Sequence, residues 1–421
     1  MSETVAAPPA EQGKAKLSAI FGSAFIIGGT AVGAGMFSIP VASSGMWFVP
    51  TLIMLAVVWY CMYSAALYLM EANLRFPLGA SFDTMAQQTI GTVGRLLNGA
   101  SVAFVCYILT YAYISGGSSI VRHTVESISG IVLAPSLASL VFALVLGSTV
   151  VFGTRTVDRI TTALIGAMVI SFLVFVAGLL GHIETKALFP TLALSDTLPY
   201  SFAALSFITV SFGCQNCVPS VTRYLNKDAG AIRKAILIGS LIPLGFYMLW
   251  VTSIFGTLSR DQFPSLIAQG GNIGTLVAYL EADGLNKGMS STLQLFSNMA
   301  VASSFLGVAL SLFDYIADLF SFNNDIAGRL KTAAITFLPP TILGIMLPDG
   351  FISAISFAGV ALTMFCILCP VVMAWIGRKQ HSDNYQVPGG KMRMLLVLAF
   401  GIVSLVLAVM DGLSMLPSYG H

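Results

Sequence analysis

The sequence has 421 residues, 56% of them apolar and only 9% charged, with a formal net charge of +2. A soluble domain carries roughly 25% charged residues and keeps a polar exterior, so no soluble architecture of this length buries that much apolar side chain. The bilayer must therefore act as part of the solvent, and so small a net charge leaves no electrostatic footprint for nucleic acid.

Residues 1–16 are small and polar, carry Lys14 and Lys16, and read as a disordered cytoplasmic tail. No cleavable signal is expected, because the apolar stretch that follows is longer than a signal core and runs into a second one. A hydrocarbon core about 30 Å thick needs about 20 apolar residues in helix. Eleven such runs follow, at 17–41, 47–71, 97–119, 132–152, 160–181, 197–221, 232–256, 289–318, 331–347, 351–376 and 394–416. Most are apolar on all sides, which excludes surface helices and in-plane anchors. The first and sixth are interrupted, and the ninth is short. With the amino terminus inside, only Arg122, Lys186, Arg260 and Lys287 of the 20 Lys and Arg fall on outer segments. That bias alternates at every loop and puts the carboxyl terminus of this multi-pass membrane protein outside. The four His and six Cys give no disulfide framework.

The interruptions carry the functional signal. The first span holds Gly28, Gly29, Thr30, Ala31, Val32, Gly33, Ala34 and Gly35; the sixth holds Phe212, Gly213, Cys214, Gln215, Asn216, Cys217, Val218 and Pro219. Glycine weakens a helix and proline removes a donor, and irregular backbone in lipid is tolerated only where it is buried or lines a cavity. The breaks are five spans apart, as expected if residues 17–181 and 197–376 are inverted five-helix repeats holding substrate at their interface, with 394–416 as an extra helix. Half-helix amino ends can then bind a carboxylate, and freed carbonyls, Ala31 among them, can bind an ammonium group or a cation. The plain alternative is small-residue helix packing, for which Gly29 and Gly33 have the spacing. A phosphate loop fails, because no strand precedes the glycines and no Lys-Ser/Thr follows them.

The runs GGTAVGAGMFSIP (28–40), LMEANLRFPLGASFDT (69–84), YILTYAYISG (107–116), NMAVASSFLGVALSLFDYIADLF (298–320) and GRLKTAAITFLPP (328–340) resemble the hydroxy/aromatic amino acid permease family. This family lies within the amino acid–polyamine–organocation superfamily, and its tryptophan and tyrosine permeases are the nearest in resemblance. The similarity spans about 18–418. It implies an all-α LeuT-like fold, inner-membrane residence and proton-coupled uptake. Two positions depart from the family pattern: Gln215 stands where members carry His, and Met168 aligns with a lysine that takes the place of a sodium ion. By the same resemblance, Ser303 and Ser304 match a hydroxyl pair that sodium-coupled relatives use opposite span one. The expected coupling ion is thus a proton or sodium, with no other cofactor.

Further candidates each have two readings. Tyr107 and Tyr111 share a helical face of span three, where the fold places a wall of the pocket, and could stack an aromatic substrate; Tyr113 could belong to an interfacial belt. Asn298 either reads the substrate or hydrogen-bonds a neighbouring helix. Glu71 and Asp314 lie near the inner face and could gate it, relay protons, or form structural ion pairs, as could Asp318. Asp411 lies near the outer end of span eleven, and no titratable group stands at the midplane. The CxxC pairs Cys214/Cys217 and Cys366/Cys369 are weak metal signals outside a zinc or redox context. The outer segment 257–288 reads as a gate or as a passive connection.

The chain is therefore expected to import an aromatic amino acid, tryptophan first and tyrosine next, by cation symport from a lipid environment, with no obligatory protein partner and no enzymatic activity. The alternatives are sodium coupling, a serine/threonine permease and a non-transporting amino acid sensor.

Overall fold

The computed structural model describes residues 9–420 except 79, 81, 180–182, 272, 324, 349 and 381–384. The described chain is helical, and its principal helices are labelled in order. Helix α1 is Pro9–Ala31, continued after a break by a tight turn Ala34–Ser38 and a short helix Ile39–Ser43; α2 is Phe48–Asn73, α3 Thr92–Ser129, α4 Pro135–Phe152 and α5 Thr154–Leu179. Helix α6 is Tyr200–Ser211, continued by Gln215–Cys217 and Val218–Tyr224. Then come α7 Ala229–Thr257, α8 Lys287–Leu319, α9 Ile326–Met346, α10 Phe351–Thr363 with its continuation to Gln380, and α11 Gly390–Gly412. Helix α1 already begins at Pro9, inside the stretch expected as a tail; residues 1–8 lie outside those described.

Local chemistry sets the ends. Asp228, Asn286 and Asp325 cap α7, α8 and α9, their side-chain oxygens accepting from amides three residues on, at 2.9–3.0 Å for the first two and 2.7 Å for Asp325. Pro135 opens α4, where its missing donor costs nothing, and Gly130 closes α3 with φ 71°, a left-handed conformation that suits glycine.

Among the described residues, nine helices are long and apolar enough to cross a bilayer, or ten when Leu17–Ala31 and Gly35–Ser43 count as one span bent by 55°. The ninth expected crossing, 331–347, coincides with α9, which carries Arg329, Lys331 and the pair Pro339-Pro340 and is not among those helices. Its 21 residues reach about 31 Å at 1.5 Å per residue.

Contacts between loops sort the chain into two faces. Arg260 donates to the Gly45 carbonyl and lies over the Tyr419 ring, bringing the ends of α1, α7 and α11 to one side. On the opposite side Arg378 binds Glu71, and Arg329 binds the Val151 carbonyl. These are the sides that the charge bias assigns to outside and inside, and "outer" and "inner" are used in that sense below. The packing repeats at a five-span offset. Helix α5 packs extensively on α8, as α10 does on α3, and α1 packs on α7 as α6 does on α2. Leu144 and Val145 of α4 and Val403 and Val406 of α11 stay exposed on the perimeter, where lipid belongs.

Candidate functional site

The two breaks meet face to face at mid-depth. A Cβ on Gly35 would lie 3.4 Å from the Ser211 hydroxyl, so the arms approach to van der Waals contact there. One turn away, Thr30 Oγ1 donates to the Ile26 carbonyl at 2.8 Å and lies 3.1 Å from the Cys217 thiol of the second break. Thr30 and Asn216 are both exposed and Gly29 is half-exposed, so the inner side of this junction is open. The nearest contact of a Cβ on Gly29 would be Ile165 of α5 at 3.9 Å.

On the α8 side, a Cβ on Gly33 would collide with Ser304 Oγ. Ser304 is also hydrogen-bonded to the phenol of Tyr113, which is buried. Gly33, Ser304 and Tyr113 thus bring α1, α8 and α3 to one point. Ser303, expected as Ser304's partner, turns its hydroxyl back to the Ala300 carbonyl of its own helix at 3.1 Å.

Several other expectations are redirected. Gly28 serves helix packing: its Cβ would meet Ile242 at 2.9 Å and the Gly239 carbonyl at 3.1 Å, where α1 and α7 press together. Gly213 likewise lies against Leu362 of α10. Gln215 is fully buried; its Oε1 accepts from the Cys214 amide at 2.9 Å and its Nε2 donates to the Met62 carbonyl of α2 at 3.2 Å. With both ends of the amide engaged, Gln215 braces the break rather than facing a ligand. Tyr107 donates to the Ile335 carbonyl and Tyr111 to the Leu347 carbonyl, each at 2.9 Å, so their shared face meets α9 and not the breaks.

Glu71 is also redirected. It has no exposed surface and accepts four hydrogen bonds: from Arg75 at 3.1 Å, from Arg378 at 2.7 and 2.6 Å, and from the Val387 amide at 2.7 Å. A carboxylate so engaged staples α2 to α10 and to the segment before α11. Of the three roles open to it, gating, proton relay and structural pairing, the geometry is that of a paired carboxylate rather than of a proton relay. Asp314, by contrast, stays exposed. Asn298 lines a cavity above the breaks with His123, Thr124, Gln294 and Ser297, apart from the junction itself. Met168 is buried in the core, and Cys366 packs its thiol on the Gln215 backbone from an irregular turn of α10, Met364–Leu368.

Two features were not anticipated from the sequence. Tyr247 of α7 is fully buried, and its hydroxyl lies 2.7 Å from the Ala31 carbonyl and 2.5 Å from the Ser211 carbonyl, the last residues of the two helices before their breaks. On the outer side the breaks are covered by packed rings. Phe37 contacts Trp250 and Phe296 at 5.9 and 5.0 Å, Phe172 contacts Phe246 and Phe296 at 4.5 and 5.1 Å, and Phe175 contacts Trp250 at 5.9 Å. Each such pair contributes about 0.5–1.5 kcal/mol beyond area burial, so the outer side is firmly closed.

Comparison with known proteins places this geometry. A model of the tryptophan/tyrosine permease family matches residues 16–408. A tryptophan-specific transport protein of Pseudomonas aeruginosa (strain UCBPP-PA14) is 45% identical over 95% of this chain and 96% of its own. Another, from Shigella flexneri, is 41% identical over 95% and 97%. Among solved structures, MhsT in complex with L-phenylalanine superposes with a TM-score of 0.63 at 16% identity, covering 93% of this chain and 98% of that one. The all-α LeuT-like fold with two broken helices is therefore the observed fold, and the protein is a transporter rather than an enzyme. The chain belongs to the tryptophan/tyrosine permease family.

Proposed function

We propose that this protein imports an aromatic amino acid, tryptophan first and tyrosine next, by alternating access coupled to a cation. The observation that carries the reading is the junction of two broken spans from opposite repeats, in a chain whose relatives include tryptophan-specific transport proteins. Broken ends supply backbone donors and acceptors for a zwitterion, and the apolar walls suit a ring. The substrate enters from outside, the rings close over it, and the inner side opens as it is here. A membrane potential of 100 mV contributes about 2.3 kcal/mol per charge moved, so one coupled cation is enough to concentrate a zwitterion roughly fiftyfold.

The family resemblance favours a proton. Sodium is the second reading, and the contact of Ser304 with Gly33 supports it, since a hydroxyl opposite the first break is the type of ligand sodium takes. The test is uptake of labelled tryptophan into proteoliposomes at fixed potential, under an inward proton or an inward sodium gradient, with tyrosine, phenylalanine and serine as competitors. Tryptophan uptake driven by the proton gradient and displaced by tyrosine before serine is expected. Sodium-driven uptake would select the second reading. Displacement by serine alone would replace the substrate class.

A further inference from the structure

Tyr247 occupies a position that neither break explains alone. In an unbroken helix the Ala31 carbonyl would accept from the amide of Gly35 and the Ser211 carbonyl from that of Gln215; each helix ends before that amide comes round. The Tyr247 hydroxyl sits between the two freed carbonyls, 2.7 Å from one and 2.5 Å from the other. A phenol carries one proton, so it serves both acceptors in alternation, and a second donor arriving at either carbonyl completes the set. The Phe212 ring packs edge-on against the Tyr247 ring at 5.0 Å, which fixes the side chain from the α6 side. From the α1 side, α7 is one of the most closely packed neighbours. One turn on, Trp250 joins the outer ring cluster, so the face of α7 that touches both breaks also touches the closure above them.

We propose that the Tyr247 hydroxyl is a clasp that holds the broken spans of the two repeats in register, a positioning residue for the transport cycle rather than a substrate ligand. The alternating-access role rests on the transport reading above; the clasp itself does not. The hydroxyl ties the end of the inner arm of the first span, at Ala31, to the end of the outer arm of the sixth, at Ser211, and so holds the α1 arm at the junction beside Cys217; the α1 arm is released when either carbonyl loses it. Tyr247→Phe removes this oxygen and keeps the ring contact with Phe212.

The experiment has two arms. Thr30→Cys is introduced opposite native Cys217, whose sulfur lies 3.1 Å from the Thr30 hydroxyl, and the disulfide formed on mild oxidation in membranes is quantified by mass spectrometry. With Tyr247 present the link forms readily; with Tyr247→Phe its yield falls at least threefold. In the second arm, tryptophan uptake by Tyr247→Phe in the native Thr30 background shows Vmax reduced at least tenfold with KM within threefold of the parent. An unchanged cross-link yield, an unchanged Vmax, or a KM raised tenfold with Vmax intact would each overturn the clasp. So would a failure of the variant to accumulate in the membrane, because a tie between two arms leaves the scaffold standing. If the parent protein carries no aromatic amino acid, the functional reading fails while the cross-link still decides the clasp.

Discussion

Gly33 is where a single methyl group has the most legible consequence. Its Cβ would strike Ser304 Oγ, whereas the Ser304 Cβ stands 3.7 Å away, an ordinary contact. Gly33→Ala should therefore be overpacked by about 1–3 kcal/mol and lose most uptake. Adding Ser304→Ala removes the colliding oxygen but also the partner of the buried Tyr113 phenol, so the melting temperature of the purified double variant should match that of Ser304→Ala alone. If it does and Ser304→Ala alone fails to transport, the Ser304 hydroxyl has a role beyond shape, as a cation ligand would. If the double variant is less stable than Ser304→Ala alone, the collision is not what excludes alanine. The same scale shows what spacing leaves unsaid. The four-residue separation of Tyr107 and Tyr111 established that they share a helical face, but not which neighbour that face meets, and it meets α9. Tyr113, two residues on and so on another face, is the one beside Ser304. Glu71 was readable as an acid near an interface; its partner Arg378 lies 307 residues away, and no local pattern announces such a pair.

Among elements, the breaks were legible because they are compositional: four glycines in eight residues, and a proline after polar residues, stand out against apolar helix. The ring cluster and the Tyr247 clasp were not, because their residues are ordinary apolar choices whose meaning depends on how the helices dock. The outer segment shows the same limit. Within it, the helix Ile273–Ala282 buries Ile273, Leu276, Val277 and Leu280 against α3 and α8. Glu281 at its end accepts from Ser290 of α8 and lies 3.9 Å from the His123 ring, which is itself 3.1 Å from Gln294. A passive connection has no need of so much buried surface. If this helix lifts to admit substrate, cysteines at Val277 and Gln294, which line one cavity between the helix and α8, should cross-link on oxidation. Uptake should then fall at least tenfold and return with reductant. Unimpaired uptake by the cross-linked protein would make the segment a static cover.

For the molecule as a whole, the outer and inner halves are built differently. Outside the breaks lie packed rings; inside them, α8 presents Ser304, Gly307, Ser311, Asp314 and Asp318 at alternating intervals of three and four, a single helical stripe. Ser304 is half-buried and the rest are exposed, while Leu312, Phe313 and Ile316 of the same turns are buried. A stripe of serine, glycine and aspartate is costly against lipid, so it belongs to a wetted path that runs from the breaks to the inner face. Exposed Thr30, Asn216 and Ser220 lie on the arms of the same junction. The arrangement is that of a transporter closed outside and open inside, and it makes a sided prediction. Ser311→Cys should react with a membrane-impermeant maleimide in inside-out vesicles and stay unreactive in right-side-out ones. Phe296→Cys, placed in the ring cluster, should stay unreactive in both until substrate cycling opens the outer side. Labelling of Ser311→Cys from the right-side-out face alone would reverse the orientation inferred from the charge bias, and with it the direction of the path. Equal, slow labelling from both sides would mean that the stripe is packed against lipid or protein, and that the wetted path runs elsewhere between the repeats.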